Sequence, residues 1–204
     1  MLDEAGWPEC QISVSNSLDE RLIQNLFLQG AQIDMFGVGE RMITAKSEPV
    51  FGGVYKLTAV ENDKGEIIPK IKCSENVEKI TIPHFKKVYR LYNRDNDKAI
   101  ADYMTVHDEV VDENEPLMLF DPYATWKTKN VCNFEARELL VPVFLNGKKV
   151  YQSPTLKDIQ AYCKQQVNTL WDEIKRFDNP QTYYVDLSQK LWDIQQELLR
   201  KNRN

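Results

Sequence analysis

Two short stretches carry the residue types best suited to chemistry. Ile33-Asp34-Met35-Phe36-Gly37-Val38-Gly39-Glu40-Arg41 reads as a buried strand running into a tight glycine loop. Ile12-Ser13-Val14-Ser15-Asn16-Ser17-Leu18-Asp19-Glu20 reads as a second strand that ends in small polar residues and feeds a helix. Two such strand ends side by side offer backbone amides and hydroxyls to one anion, and in (β/α) barrels a phosphate cradle is commonly built by the loops after the last two strands. Glycine at positions 37 and 39 lets the backbone come close to a ligand. Successive N–H groups around Val38 can then converge on one spot, and Arg41 can add a charge-assisted contact. The bland alternative is a tight turn with Arg41 solvated. Ser15 and Asn16 lie just past a strand end, where ligands of parallel α/β sheets bind. Ser17 reads as a helix cap, and Asp19 and Glu20 as first-turn acids that offset the helix dipole.

Other candidates weigh less. Gly52-Gly53 before a strand suggests a bulge or a close approach to a ligand, with Lys56 following on that strand. His84 and His107 have no serine, cysteine or second histidine at a useful local spacing and read as surface or loop residues. The acidic run Asp108-Glu109-Val110-Val111-Asp112-Glu113 reads as a solvated turn. Trp126 with Lys127 and Lys129 is too little for a nucleic-acid surface in a chain of net charge -5. Cys10, Cys73, Cys132 and Cys163 form no CxxC pair, so neither a zinc site nor a disulfide framework is expected. Buried free thiols in a reducing cytoplasm are the expected state. No apolar run approaches a membrane span.

The elements that must position these groups follow from pattern. Met1 to Gly6 reads as a last helical turn with Gly6 as its C-cap, which suggests a piece of a larger protein. Ser17 and Glu20 form a capping box for a helix over residues 17–29; Leu22, Ile23, Leu26 and Phe27 share one face, and Gly30 ends it. Strand, helix and strand in so short a span make a right-handed parallel βαβ unit. A helical turn or loop over 42–49 follows. The texture then turns to hairpins: Phe51–Val60 with Ile67–Cys73 around Asn62-Asp63-Lys64-Gly65, and Val88–Tyr92 with Ala99–Tyr103 around Arg94-Asp95-Asn96-Asp97. Val106–Val111, Pro116–Phe120 and Arg137–Phe144 are further strand candidates, and Tyr123–Phe134 reads as irregular. Thr155 caps a long helix with Asp158 at N3, whose expected buried stripe is Ile159, Tyr162, Cys163, Val167, Leu170, Trp171 and Ile174. Asn179-Pro180 breaks it. A last helix over 188–201 carries Leu187, Leu191, Ile194 and Leu198, with Asn202-Arg203-Asn204 expected to fray. The organisation expected is α/β at residues 1–50, β-rich at 51–150 and helical at 151–204, an α+β whole.

Taken together, the stretches Ser15–Glu20, Gly30–Gly39, Gly52–Leu57, Asn133–Pro142 and Asp186–Trp192 resemble the C-terminal part of nicotinate phosphoribosyltransferase. The resemblance covers nearly the whole chain. It implies a type II phosphoribosyltransferase fold: the last βα units of a TIM-like α/β barrel, an antiparallel β-rich region and closing helices. It implies an enzyme that makes nicotinate mononucleotide from nicotinate and phosphoribosyl pyrophosphate with ATP hydrolysis and Mg²⁺, a transferase step of NAD salvage in the cytoplasm. The enzymes of that family are usually dimers, and an open parallel edge invites self-association. Ser15, Asn16, Gly37, Val38 and Gly39 would hold the ribosyl 5'-phosphate, with Arg41 beside them. Many members have threonine where this chain has Glu40, which is expected to point away. The family's catalytic histidine, and the arginine and aromatic residues that hold nicotinate, lie upstream of everything here. The chain alone is therefore expected to keep part of the phosphate grip without the catalysis. The competing readings are a non-catalytic paralogue that binds a mononucleotide or docks on a partner, and a nicotinamide or quinolinate phosphoribosyltransferase with the same cradle.

Overall fold

The computed structural model describes residues 1–202, so the fraying expected of Arg203 and Asn204 lies outside the described residues. The chain divides into two compact units, Met1–Val54 and Tyr55–Asn204. Both mix helix and strand, and the described strands form no closed barrel.

In the first unit, β1 (Ser13–Ser15) leads through α1 (Glu20–Leu28) to β2 (Met35–Gly37), and a short α2 (Glu40–Ile43) follows. The two strands pair in parallel, Ser13 with Met35, Val14 with Phe36 and Ser15 with Gly37. Helix α1 starts later than the capping box suggests. Asp19, not Ser17, is the N-cap, and its carboxylate accepts from the Leu22 amide at 2.8 Å. Ser17 instead has φ 52, following Asn16 at φ 91. A left-handed residue cannot hold the extended backbone an N-cap uses. At the other end Gly30, at φ 80, closes a Schellman motif, with Gly30 N–H on Phe27 O and Ala31 N–H on Leu26 O. Phe27 meets Phe36 edge-on at 5.5 Å, which ties the helix to β2. Leu22 and Phe27 nonetheless remain exposed.

The second unit begins with a hairpin of β3 (Ala59–Glu61) and β4 (Ile67–Pro69). The strand expected from Phe51 is regular only from Ala59; residues 51–58 make no ladder. The main sheet comprises β5 (Lys86–Asn93), β6 (Ala99–Val106), β9 (Phe134–Glu138) and β12 (Val185–Leu187), in the order β12-β6-β5-β9. β5 and β6 are the expected hairpin, closed by Asp97 at φ 54 with its N–H on Asn93 O at 2.9 Å. β12 joins β6 in parallel. β7 (Leu117–Phe120) pairs with β8 (Thr128–Val131), inside the stretch read as irregular. Thr128, Lys129 and Asn130 are exposed, so only Val131 marks the strand's inner side. β10 (Phe144–Leu145) and β11 (Lys148–Lys149) flank the Asn146-Gly147 turn. Tyr89, Leu91, Ala101, Tyr103, Leu119, Val131 and Phe134 form the core.

Four expectations fail here. Val106–Val111 is not a strand, because the Glu109 carboxylate takes the Val106 amide at 2.7 Å and turns the chain. The acidic run is no solvated turn. Glu109 also accepts from Ser188 Oγ at 2.8 Å, Glu113 accepts from the Ala136 amide at 2.8 Å and pairs with Arg94, and Asp108 pairs with Lys190. The acids thus staple separate elements together. Helix α3 (Leu156–Thr169) has the expected Thr155/Asp158 capping box, but its stripe is not buried: Ile159, Tyr162 and Val167 are 49%, 60% and 44% exposed. The helix is tied down at its C-terminal end instead, by Tyr92 Oη on Gln166 and by Lys98 Nζ on the carbonyls of Asn168 and Leu170. All four cysteines are likewise exposed rather than buried. Helix α4 (Gln189–Lys201) is capped by Ser188 and buries Leu191 against Val106 and Leu187. Among the described residues no helix is long and apolar enough to cross a membrane.

Candidate functional site

Parallel pairing puts the ends of β1 and β2 side by side, and the cavity of interest lies there. It measures about 350 Å³ and is lined by Ser15, Asn16, Ser17, Leu18, Gly37, Gly39, Glu40, Arg41 and Lys46. The approach of the two strands explains a glycine at 37. A Cβ built there would sit 3.0 Å from Ser15 Cβ, well inside the roughly 3.5–4.0 Å at which carbon atoms attract. Asn16 and Ser17, both left-handed, turn the chain away from β1 at this point.

The charges of the site come from α2 and the turn after it. Arg41 forms an ion pair with Asp19, the cap of α1. The Leu22 amide first, and Arg41 after it, hold the Asp19 carboxyl below its ordinary range. An anion entering the cavity would share Arg41 with Asp19. Lys46 brings a second cation to the rim, held by its backbone N–H on Arg41 O at 3.0 Å.

Of the residues singled out in the sequence, Ser15, Asn16, Gly37, Gly39 and Arg41 line this cavity, and Val38 does not. Glu40, expected to turn away, is a lining residue. Gly52 and Gly53 are exposed, and a Cβ at either would touch nothing within 4 Å. Lys56 belongs to the second unit, where its ammonium donates to Lys79 O at 2.9 Å. Sequence reasoning missed Ser17 and Lys46. Ser17 was hidden by its resemblance to a capping box. Lys46 carries no signal beyond lying five residues after Arg41.

The histidines are not isolated. His84 and His107 lie 5.9 Å apart with rings nearly parallel, brought together by the antiparallel β5–β6 pairing. Beside them the Lys86 ammonium donates to the carbonyls of Ile82, Pro83 and His84, and burial pushes its pKa down to about 8. Among the described residues no group of three or more His, Cys, Asp or Glu side chains could hold a metal ion.

The fold and cavity can be set against known proteins. The sequence profile of the nicotinate phosphoribosyltransferase C-terminal domain matches residues 85–195. The chain is 44% identical over 192 residues to nicotinate phosphoribosyltransferase of Bacillus subtilis (strain 168), covering 94% of this chain and 39% of that protein. It is 33% identical over 193 residues to nicotinate phosphoribosyltransferase of Caenorhabditis elegans, covering 94% and 33%. The crystal structure of human nicotinic acid phosphoribosyltransferase superposes with a TM-score of 0.67 at 24% identity, over 94% of this chain and 33% of that one, a likeness of fold. The chain thus spans between a third and two-fifths of the length of these relatives.

Proposed function

This chain belongs to the nicotinate phosphoribosyltransferase C-terminal-domain family, and on that premise we propose that it is the C-terminal portion of an enzyme forming nicotinate mononucleotide from nicotinate and phosphoribosyl pyrophosphate. In this reading the first unit is the end of a TIM-like α/β barrel. Its cavity takes the ribosyl 5'-phosphate on Ser15, Asn16, Gly37 and Gly39, with Arg41 and Lys46 supplying charge. The observation that carries the reading is the Ser15–Gly37 register, which joins two strand-end loops at one cavity. The contribution of these residues is positioning: holding the phosphate fixes the ribosyl C1 against the nicotinate nitrogen, and preorganised cations offset charge. The whole enzyme works as a cytoplasmic dimer with Mg²⁺ and ATP. Neither His84 nor His107 stands in the family's catalytic-histidine motif, so in this reading the 204 residues make no product alone.

Two measurements test this. Titration of the ¹⁵N-labelled chain with phosphoribosyl pyrophosphate is expected to shift the amides of residues 15–17, 37–41 and 46 first, and Lys46→Ala is expected to weaken binding with a shallower salt dependence. Shifts confined to other residues would remove the cradle. Nicotinate mononucleotide formed by the purified chain above a no-protein control would remove the claim of inactivity.

A further inference from the structure

A second cavity, in the unit Tyr55–Asn204, holds a buried carboxylate that accepts no hydrogen bond among the described residues. Asp186 lies in the middle of β12, and only 5% of it is exposed. The influences on its carboxyl are burial first, the nearby Asp121 second and Lys129 third; no hydrogen bond is among them. A buried carboxylate without a hydrogen bond is costly, and one in a native fold calls for an explanation. Asp186 faces a cavity of about 140 Å³. The walls are Ile100, Leu119, Phe120 and Tyr184, and Lys127 and Lys129 stand exposed at the rim. Asp121 is turned to its own loop, its Oδ1 accepting from the amides of Tyr123 and Ala124 at 2.8 and 3.0 Å. Ile100, Lys129 and Tyr184 also line a larger neighbouring cavity of about 470 Å³, together with Trp171 and Tyr183.

We propose that this cavity binds a small flat molecule with an amidine-type edge, two N–H donors on one carbon, with Asp186 as the acceptor. A carboxylate takes such an edge through two parallel hydrogen bonds. The apolar walls suit a ring better than a hydrated alkylammonium, whose shell they could not replace. The rim lysines suit an anionic substituent on the outer side of the ring, where the larger cavity leaves room for it. The charged and titratable groups facing Asp186 are Asp121 from the β7–β8 connection, Lys129 from β8, Lys127 beside it and Tyr103 from β6. This site is independent of the phosphoribosyltransferase reading, since none of its residues lines the anion cavity.

Benzamidine is the probe, followed by heteronuclear NMR on the whole chain near pH 7.5, with benzyl alcohol as the ring without the donor pair. Saturable shifts at Ile100, Phe120, Tyr184 and Asp186 are expected, with benzyl alcohol weaker by about tenfold, the usual worth of a charge-assisted hydrogen bond. Asp186→Asn is expected to lose a similar factor. In the unaltered chain, benzamidine affinity is expected to fall as the pH is lowered through about 6, where the carboxyl takes its proton; this readout does not depend on a variant folding. Equal binding of benzyl alcohol, unchanged binding in Asp186→Asn, pH-independent affinity or shifts clustered elsewhere would each overturn the proposal.

Discussion

Replacing Gly37 by alanine tests whether the two strand-end loops depend on close approach. The added Cβ would lie 3.0 Å from Ser15 Cβ and 3.9 Å from Val14 O. Overpacking of this kind costs roughly 1–3 kcal/mol. Gly37 is not in the left-handed region, so alanine also stiffens the unfolded chain, which returns about 0.4–1 kcal/mol. The net expectation is a local loss of about 1 kcal/mol. Because the clash lies at the cavity mouth, Ser15 must move by a few tenths of an ångström. Hydrogen exchange read by mass spectrometry on peptides spanning residues 13–15 and 35–37 reports the local loss, and phosphoribosyl pyrophosphate titration reports the displaced lining. Exchange should speed up several-fold in both peptides and affinity should drop. Gly53→Ala, in open space, should change neither. If Gly37→Ala leaves exchange and affinity as they were, the strands do not depend on contact at this pair and the cradle argument fails.

Other perturbations have equally definite outcomes. Arg90 holds Asp102 through two bonds of 2.8 and 3.0 Å, and Tyr183 Oη donates to the same carboxylate at 2.9 Å. Arg90→Met leaves that carboxylate with Tyr183 Oη alone and is expected to cost about 1–3 kcal/mol, whereas Arg90→Met with Asp102→Leu should cost less in urea denaturation. Glu109→Ala removes the acceptor of the Val106 amide and of Ser188 Oγ; a loss of about 1–3 kcal/mol per stranded buried donor should appear in thermal melts. Burial raises the Asp186 carboxyl to about 6, so its favourable contribution is complete below the ordinary carboxylate range and is lost as pH rises through about 6. Asp186→Asn should therefore melt higher than the unaltered chain near pH 7.5, with the gap closing toward pH 4.5; a gap independent of pH would refute this.

Local chemistry was legible wherever neighbours in sequence settle it. Gly30 ends α1 because a left-handed residue is needed there, Thr155 and Asp158 close a capping box on each other, and Asp97 turns the β5–β6 hairpin. The strand–helix–strand spacing likewise made the parallel pair of Ser13–Ser15 and Met35–Gly37 the natural arrangement. In each case the partners are within a few residues, or the connection length admits one topology.

Tertiary structure decided whatever depends on distant neighbours. Ser17 and Asp19 both satisfy the capping pattern, and the left-handed turn out of β1 selects Asp19, which then also meets Arg41. The stripe on α3 has helical spacing, yet spacing says only that a face is apolar, not that anything covers it. The acids at 109 and 113 read as solvated until Ser188 and Ala136 are folded against them. His84 and His107 meet only across the β5–β6 ladder. Asp186 was legible as a residue of a familiar stretch, but its surroundings come from Phe120, Asp121 and Lys129 arriving from elsewhere in the chain. Periodicity and capping are short-range and are written in the chain itself. Burial and pairing are sums over residues far apart in sequence, and only the folded chain performs them.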